Sequence, residues 1–153
     1  MRNTIVYRHW QPGDDDVVLA FRPNTNEDWY PQKFDDGDLE PEGIRLAFLN
    51  ERVVGHVMGE GTTLFIQGKV QKCGEVTDVF VAPDLRRQGI ATRLMQEVHT
   101  YFERKGYRGS LLDPAESARR LYRKVGYQET SDGNMILFFR QEIDLTQQFR
   151  TFS

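Results

Sequence analysis

The spacing of apolar residues along the chain changes at Gly89. Before it, short apolar runs broken by turn residues read as strands; after it, apolar residues return at helical spacing. Thr4–Trp10 is apolar enough for a strand. Turn residues and an acidic cluster, QPGDDD, then lead into a short helix. Pro23–Gly43 is rich in Pro, Asn, Asp and Gly and predicts an irregular segment of a length that, in compact domains, is functional or mobile. Ile44–Asn50 and Arg52–Glu60 are strands joined as a hairpin through Asn50-Glu51, and Thr62–Gly68 continues the second or starts another. Cys73–Ala82 is a further strand, bounded by Gly74 and Pro83.

Beyond Gly89, Ile90, Leu94, Val98 and Tyr101/Phe102 recur on one helical face until Gly106 stops them. Tyr107–Leu112 reads as a short strand. Asp113 is a candidate N-cap for the next helix, with Pro114 at its first position and Glu116 completing a capping box. Ala118, Leu121, Tyr122 and Val125 form its apolar stripe, and Gly126 ends it. A hairpin turning at Asp132-Gly133 closes the core, followed by a polar tail, 140–153, that frays or serves an interface. This order, antiparallel hairpins with β-α-β crossovers, predicts an α/β or α+β class around a central mixed sheet.

Composition adds bounds. At 153 residues, with 39% hydrophobic and 28% charged positions, the chain suits one soluble domain over 1–153. No apolar run approaches the ~20 residues of a membrane span, and the N-terminus lacks the apolar core of a signal peptide. The expectation is a cytoplasmic protein. Cys73 is the only cysteine, which excludes an intrachain disulfide and reads as a small buried hydrophobe rather than a nucleophile. His9, His56 and His99 have no ligand spacing, so no metal site is expected; His99 reads as a surface residue.

Net charge is −3, which argues against a nucleic-acid partner. Its distribution is uneven. Residues 1–42 hold ten acids and four bases, net −6, and residues 86–124 hold ten bases and four acids, net +6. The basic region starts where a helix begins. A helix beginning near Gly89 exposes unpaired backbone N–H groups and the positive end of its dipole. Gly89 lets the backbone approach a ligand, Ala91 does not block it, and Arg86, Arg87 and Arg93 add charge. These are the ingredients of a phosphate cradle. The loop has neither a Walker A lysine nor a G-x-G-x-x-G dinucleotide fingerprint.

Arg86-x-x-Gly89-x-Ala91, after a strand ending Val81-x-Pro83, resembles the [Q/R]-x-x-G-x-[G/A] acyl-CoA signature of the GNAT superfamily of N-acyltransferases. About thirty residues on, Leu121, Tyr122, Lys124, Gly126 and Tyr127 match the same family's second motif, L-Y-x-K-x-G-[FY]. The resemblance covers 43–139 well, and 1–42 only in outline, as a variable acceptor-side region. It implies a splayed, mostly antiparallel sheet of six to seven strands with about four helices. It implies acetyl-CoA as acyl donor, held at its pyrophosphate by backbone amides over Arg86, Arg87, Gln88, Gly89, Ile90, Ala91 and Thr92, and along its pantetheine arm by Phe80 and Val81.

The same resemblance implies Tyr122 as the acid that protonates the leaving thiolate, and a backbone N–H, that of Val81, as oxyanion donor. For the base, Glu75 fills a glutamate position found in some members; Asp78 and Glu60 are alternatives, as is a water chain. In an unbulged strand Glu75, Thr77, Val79 and Val81 share one face, and Val76, Asp78 and Phe80 the other. Members often carry asparagine where this chain has Ala115, with Ser117 placed to replace its contact.

The acceptor expected is a primary amine on a small molecule or peptide. Trp29 and Tyr30, with Asp28, Asp35, Asp36 and Asp38, are candidates for walls favouring a cationic one. The protein is expected as a monomer or homodimer. A non-catalytic acyl-CoA-binding module on the same fold is the alternative, and a toxin-like acyltransferase acting on tRNA or peptide a weaker one.

Overall fold

The computed structural model describes residues 4–21, 34, 37–139 and 149–151. Among the described residues eight strands form one sheet: β1 (Ile5–His9), β2 (Ile44–Leu49), β3 (Arg52–Ile66), β4 (Lys69–Val81), β5 (Gly109–Leu112), β6 (Gln128–Glu129), β7 (Met135–Phe138) and β8 (Phe149–Thr151). They run in the order β1-β2-β3-β4-β5-β7-β6, with β8 paired to the outer end of β3. The α-helices among the described residues are α1 (Asp15–Phe21), α2 (Ile90–Arg104) and α3 (Arg119–Val125). Every strand pair is antiparallel except β4 with β5, which the α2 crossover joins in parallel.

Several sequence expectations change. The strand expected over Cys73–Ala82 begins at Lys69, because β3 and β4 form one long hairpin through Gln67-Gly68. Both turn residues have positive φ, 52° and 78°, as a two-residue type I′ turn demands. The polar Lys69, Gln71 and Lys72 hid this extension. Part of the polar tail, Phe149–Thr151, adds β8 to the sheet.

α2 packs on one face of the sheet, with Ile90, Leu94, Val98 and Phe102 buried against it. The approach is close: a Cβ at Gly59 or Gly74 would lie within 2.6 Å of the Phe102 ring, and one at Gly55 within 2.9 Å of Ile90 and Leu94. Gly59 pairs with Val76, and Gly55 with Val81, so Val76 and Val81 share the α2 face. On the opposite face Val18 of α1 packs with Trp10, Leu46 and Met58.

Candidate active site

The expected alternation along β4 is broken at Asp78. Thr77 lies opposite Met58 and Phe80 opposite His56, so two residues of β4, Asp78 and Val79, face one of β3. Asp78 adopts φ 52°, a left-handed conformation that Asp tolerates better than most residues. His56, itself buried, hydrogen-bonds through Nδ1 to the Asp78 carbonyl at 2.8 Å and pins the bulge. Phe80 therefore lies on the α1 face with Glu75 and Thr77, edge-on to Phe21 at 5.2 Å between ring centroids, while Val81 turns to the α2 face. The face grouping expected for Glu75, Val81 and Phe80 is corrected accordingly.

Glu75 and Glu60 stand directly opposite one another, both half-buried. Beside Glu75, the Thr77 hydroxyl is buried with no hydrogen-bond partner. Asp78 contributes its backbone to the bulge.

Just before the bulge β4 leaves its parallel neighbour. β4 pairs with β5 only at Gly74↔Ser110, Glu75↔Leu111 and Val76↔Leu112, so the ladder between these two strands ends at Val76. Ala82 N–H donates to the Val54 carbonyl at 2.8 Å. By antiparallel alternation, the neighbouring Val81 turns its N–H and C=O away from β3 and toward the gap. The Val81 carbonyl accepts Arg86 Nε at 3.2 Å.

The gap leads to the start of α2. Gly89 is its N-cap at φ 83°, with no side-chain cap, and a Cβ built there would meet nothing within 4 Å. This is open space above uncapped N–H groups. Gln88 and Gly89 are exposed, Ala91 and Thr92 half-buried, and Ile90 is anchored in the core. The three arginines divide. Arg86 lies across the Phe80 ring, 5.6 Å from its centroid, and on the Val81 carbonyl. Arg93 stacks over Tyr7 at 4.6 Å and faces Glu97 at 3.6 Å. Arg87, at φ 65°, is exposed and holds no ion pair among the described residues.

Tyr122 is buried on α3 in the cluster that holds Val76, Val81 and Leu112, the residues that bound the gap. Its hydroxyl makes no hydrogen bond among the described residues, and burial raises its pKa. The side-chain cap expected at Asp113 does not form. Pro114 keeps the preceding residue extended; a 3-10 turn over Glu116–Ala118 intervenes, and α3 begins at Arg119 without a capping side chain. Glu116 bonds Arg119 at 2.8 Å instead, and Ala115 and Ser117 are exposed.

His99, expected at the surface, is buried on α2 beside Tyr127. Sequence reasoning also missed Ser110, which shares the Tyr127 hydroxyl with it; the motif tyrosine at 127 was the available signal. Cys73 is fully buried, and desolvation lifts its thiol to about 11, as befits an inert side chain. Among the described residues no group of His, Cys, Asp and Glu could hold a metal ion. No helix there is long and apolar enough to cross a membrane. Trp29, Tyr30, Asp28, Asp35 and Asp36 lie outside the described residues; Asp38 is exposed and paired with Lys72 at 2.8 Å.

A family model described as an acetyltransferase (GNAT) domain matches residues 16–130. No curated protein sequence matches the chain. Among solved structures, a Brucella melitensis GNAT family acetyltransferase in complex with acetyl-CoA superposes with TM-score 0.69 at 19% identity, covering 99% of this chain and 98% of that one. The Escherichia coli GNAT family N-acetyltransferase YhbS in complex with CoA gives TM-score 0.70 at 17% identity, covering 94% and 88%. Arabidopsis thaliana NAA60 in complex with a bisubstrate analogue gives 0.69 at 17% identity, covering 88% and 98%.

Proposed function

Since the chain belongs to the GNAT acetyltransferase family, we propose that it moves an acetyl group from acetyl-CoA directly to a primary amine. The observation that carries this reading is the open cradle at Gly89, continuous with the gap between β4 and β5 and bounded by the cluster that buries Tyr122.

The α2 N-terminus binds the pyrophosphate through its free N–H groups and dipole. Arg87 adds an exposed guanidinium that holds no ion pair among the described residues. Val81 N–H, turned into the gap, donates to the thioester oxygen as it becomes an oxyanion. The amine nitrogen forms the new C–N bond and the C–S bond breaks. Tyr122, kept protonated by burial, gives its proton to the leaving thiolate. Glu75 is the base for the attacking ammonium, directly or through water. Its face of the sheet is opposite the Tyr122 cluster. Acid and base thus flank the gap from two sides. Asp78, whose backbone forms the bulge, is the weaker candidate base.

The acceptor is proposed as a small molecule or peptide amine, and the protein as cytoplasmic, acting without metal or nucleic acid. Calorimetric titration with acetyl-CoA should give saturable binding, and no heat at millimolar ligand would sink the reading. A panel of small amines and peptide N-termini, followed by thiol release, then identifies the acceptor class. Binding without turnover on any amine would assign an acyl-CoA-binding module instead.

A further inference from the structure

Tyr127 is tied to Tyr122 in two ways, and to α2 and β5 in a third. Its backbone N–H donates to the Tyr122 carbonyl at 3.0 Å, while Gly126 N–H donates to Arg123 at 3.1 Å. Together these close α3 with a Schellman motif, in which the residue after the glycine contacts the residue five positions before it. Here that contact is aromatic: the Tyr122 and Tyr127 rings meet edge to face, 5.9 Å between centroids at 63°. The third tie runs through the Tyr127 hydroxyl. It lies 2.6 Å from His99 Nε2 on α2 and 2.6 Å from Ser110 Oγ on β5. All three residues are buried, Ser110 at 0% exposure and Tyr127 at 2%.

The chemistry of this network favours a fixed geometry. Burial holds His99 down at about 4, so the imidazole is neutral near pH 7 and offers one donor and one acceptor nitrogen. Burial raises the Tyr127 pKa, so the phenol keeps its proton. The phenol thus has one proton to give and lone pairs to receive, matched by one imidazole and one hydroxyl. No hydrogen bond passes from this network to the Tyr122 hydroxyl, so it relays no proton to it. α3, by contrast, is only seven residues long and has no side-chain cap at its start. Such a helix is marginal by itself. Its last turn, which starts at Tyr122, is held by Tyr127.

We infer that Tyr127, braced by His99 and Ser110, is the positioning residue that fixes the Tyr122 ring at the gap between β4 and β5, so that the brace acts on turnover through Tyr122. This rests on the proposed role of Tyr122 as general acid.

The test compares steady-state kinetics of the wild type, Tyr122→Phe, Tyr127→Phe, Ser110→Ala and the Tyr122→Phe/Tyr127→Phe double variant, with acetyl-CoA and one amine found in the panel. Tyr122→Phe should lower kcat by about 10²-fold or more, the range of a general acid. Tyr127→Phe should lower kcat by about tenfold with KM for acetyl-CoA within about twofold, as a misplaced acid would. The double variant should be no slower than Tyr122→Phe alone, because with the acid gone there is nothing left to position. Ser110→Ala removes one brace and should show a smaller fall in kcat at unchanged KM; it carries the comparison if Tyr127→Phe does not fold. A Tyr127→Phe kcat at the wild-type level, or losses that multiply in the double variant, would overturn the inference. If Tyr122→Phe itself turns over at the wild-type rate, the general-acid reading fails instead, and the two failures are told apart.

Discussion

Gly89 and the arginines around it do different work. Gly89 combines φ 83° with open space where a side chain would stand, so the N–H groups of α2 are reachable from outside. A glutamate there would be strained, would fill the space and would oppose an anion at short range. Arg87 contributes only screened charge from an exposed position. Gly89→Glu should therefore abolish acetyl-CoA binding by calorimetry, and Arg87→Ala should weaken it by less than about tenfold, or ~1.4 kcal/mol. Equal losses would refute this division. Arg86 is a different case: its guanidinium already holds the Val81 carbonyl and covers Phe80, so its loss would loosen the end of β4.

At the scale of elements, the cradle depends on how closely α2 sits on the sheet. Glycines at 59 and 74 make the space for Phe102, and a Cβ at Gly74 would stand 2.3 Å from its ring, which is fully buried. Neither partner can retreat in a packed core. Gly74→Ala should lower unfolding stability by about 1–3 kcal/mol, read from the urea midpoint, as overpacking does. An unchanged midpoint would mean that helix and strand separate more easily than the packing implies. The bulge at Asp78 is the second device of this scale. It turns Phe80 and Val81 to faces opposite those of an unbroken strand, and it directly follows Val76, where β4 loses β5.

Across the whole molecule, part of the positive charge of residues 86–124 is paired within the protein. Arg93 faces Glu97, Arg119 bonds Glu116, and Arg123 pairs with Glu129. Of these three acids only Glu129 lies outside the segment, so the pairs leave most of the net +6 in place, with Arg87 exposed beside the cradle. A further global property follows from His99, whose folded pKa is about 4 against the ordinary 6.5. Between these values the unfolded chain binds the proton and the folded one does not. Stability therefore falls as pH drops from about 6.5 to about 4, by roughly 3 kcal/mol from this group, and is flat for it above and below. Thermal or urea unfolding across that window should show a steeper fall for the wild type than for His99→Asn. Parallel slopes would mean that His99 is not held neutral.

Much of the fold was legible in order and type. The hairpin at Asn50-Glu51, the helix from Ile90, the short strand at Gly109–Leu112 and the closing turn at Gly133 follow from local periodicity and turn chemistry, which neighbouring residues set between themselves. The motifs around Gly89 and Tyr122 were legible for the same reason: each is a local backbone signal, one for starting a helix and one for ending it. What the sequence determined by itself was therefore the series of elements and the position of the candidate site among them. Tertiary structure decided the rest. Whether Glu75 shares a face with Phe80 or with Val81 depends on one extra residue opposite Val57, which no alternation pattern reveals. Whether Asp113 caps a helix depends on the 3-10 turn that intervenes. Whether His99 is wet or buried depends on Tyr127 and Phe139 arriving from distant parts of the chain. These are contacts between segments far apart in sequence, and their energies come from burial that exists only once the sheet and helices have met.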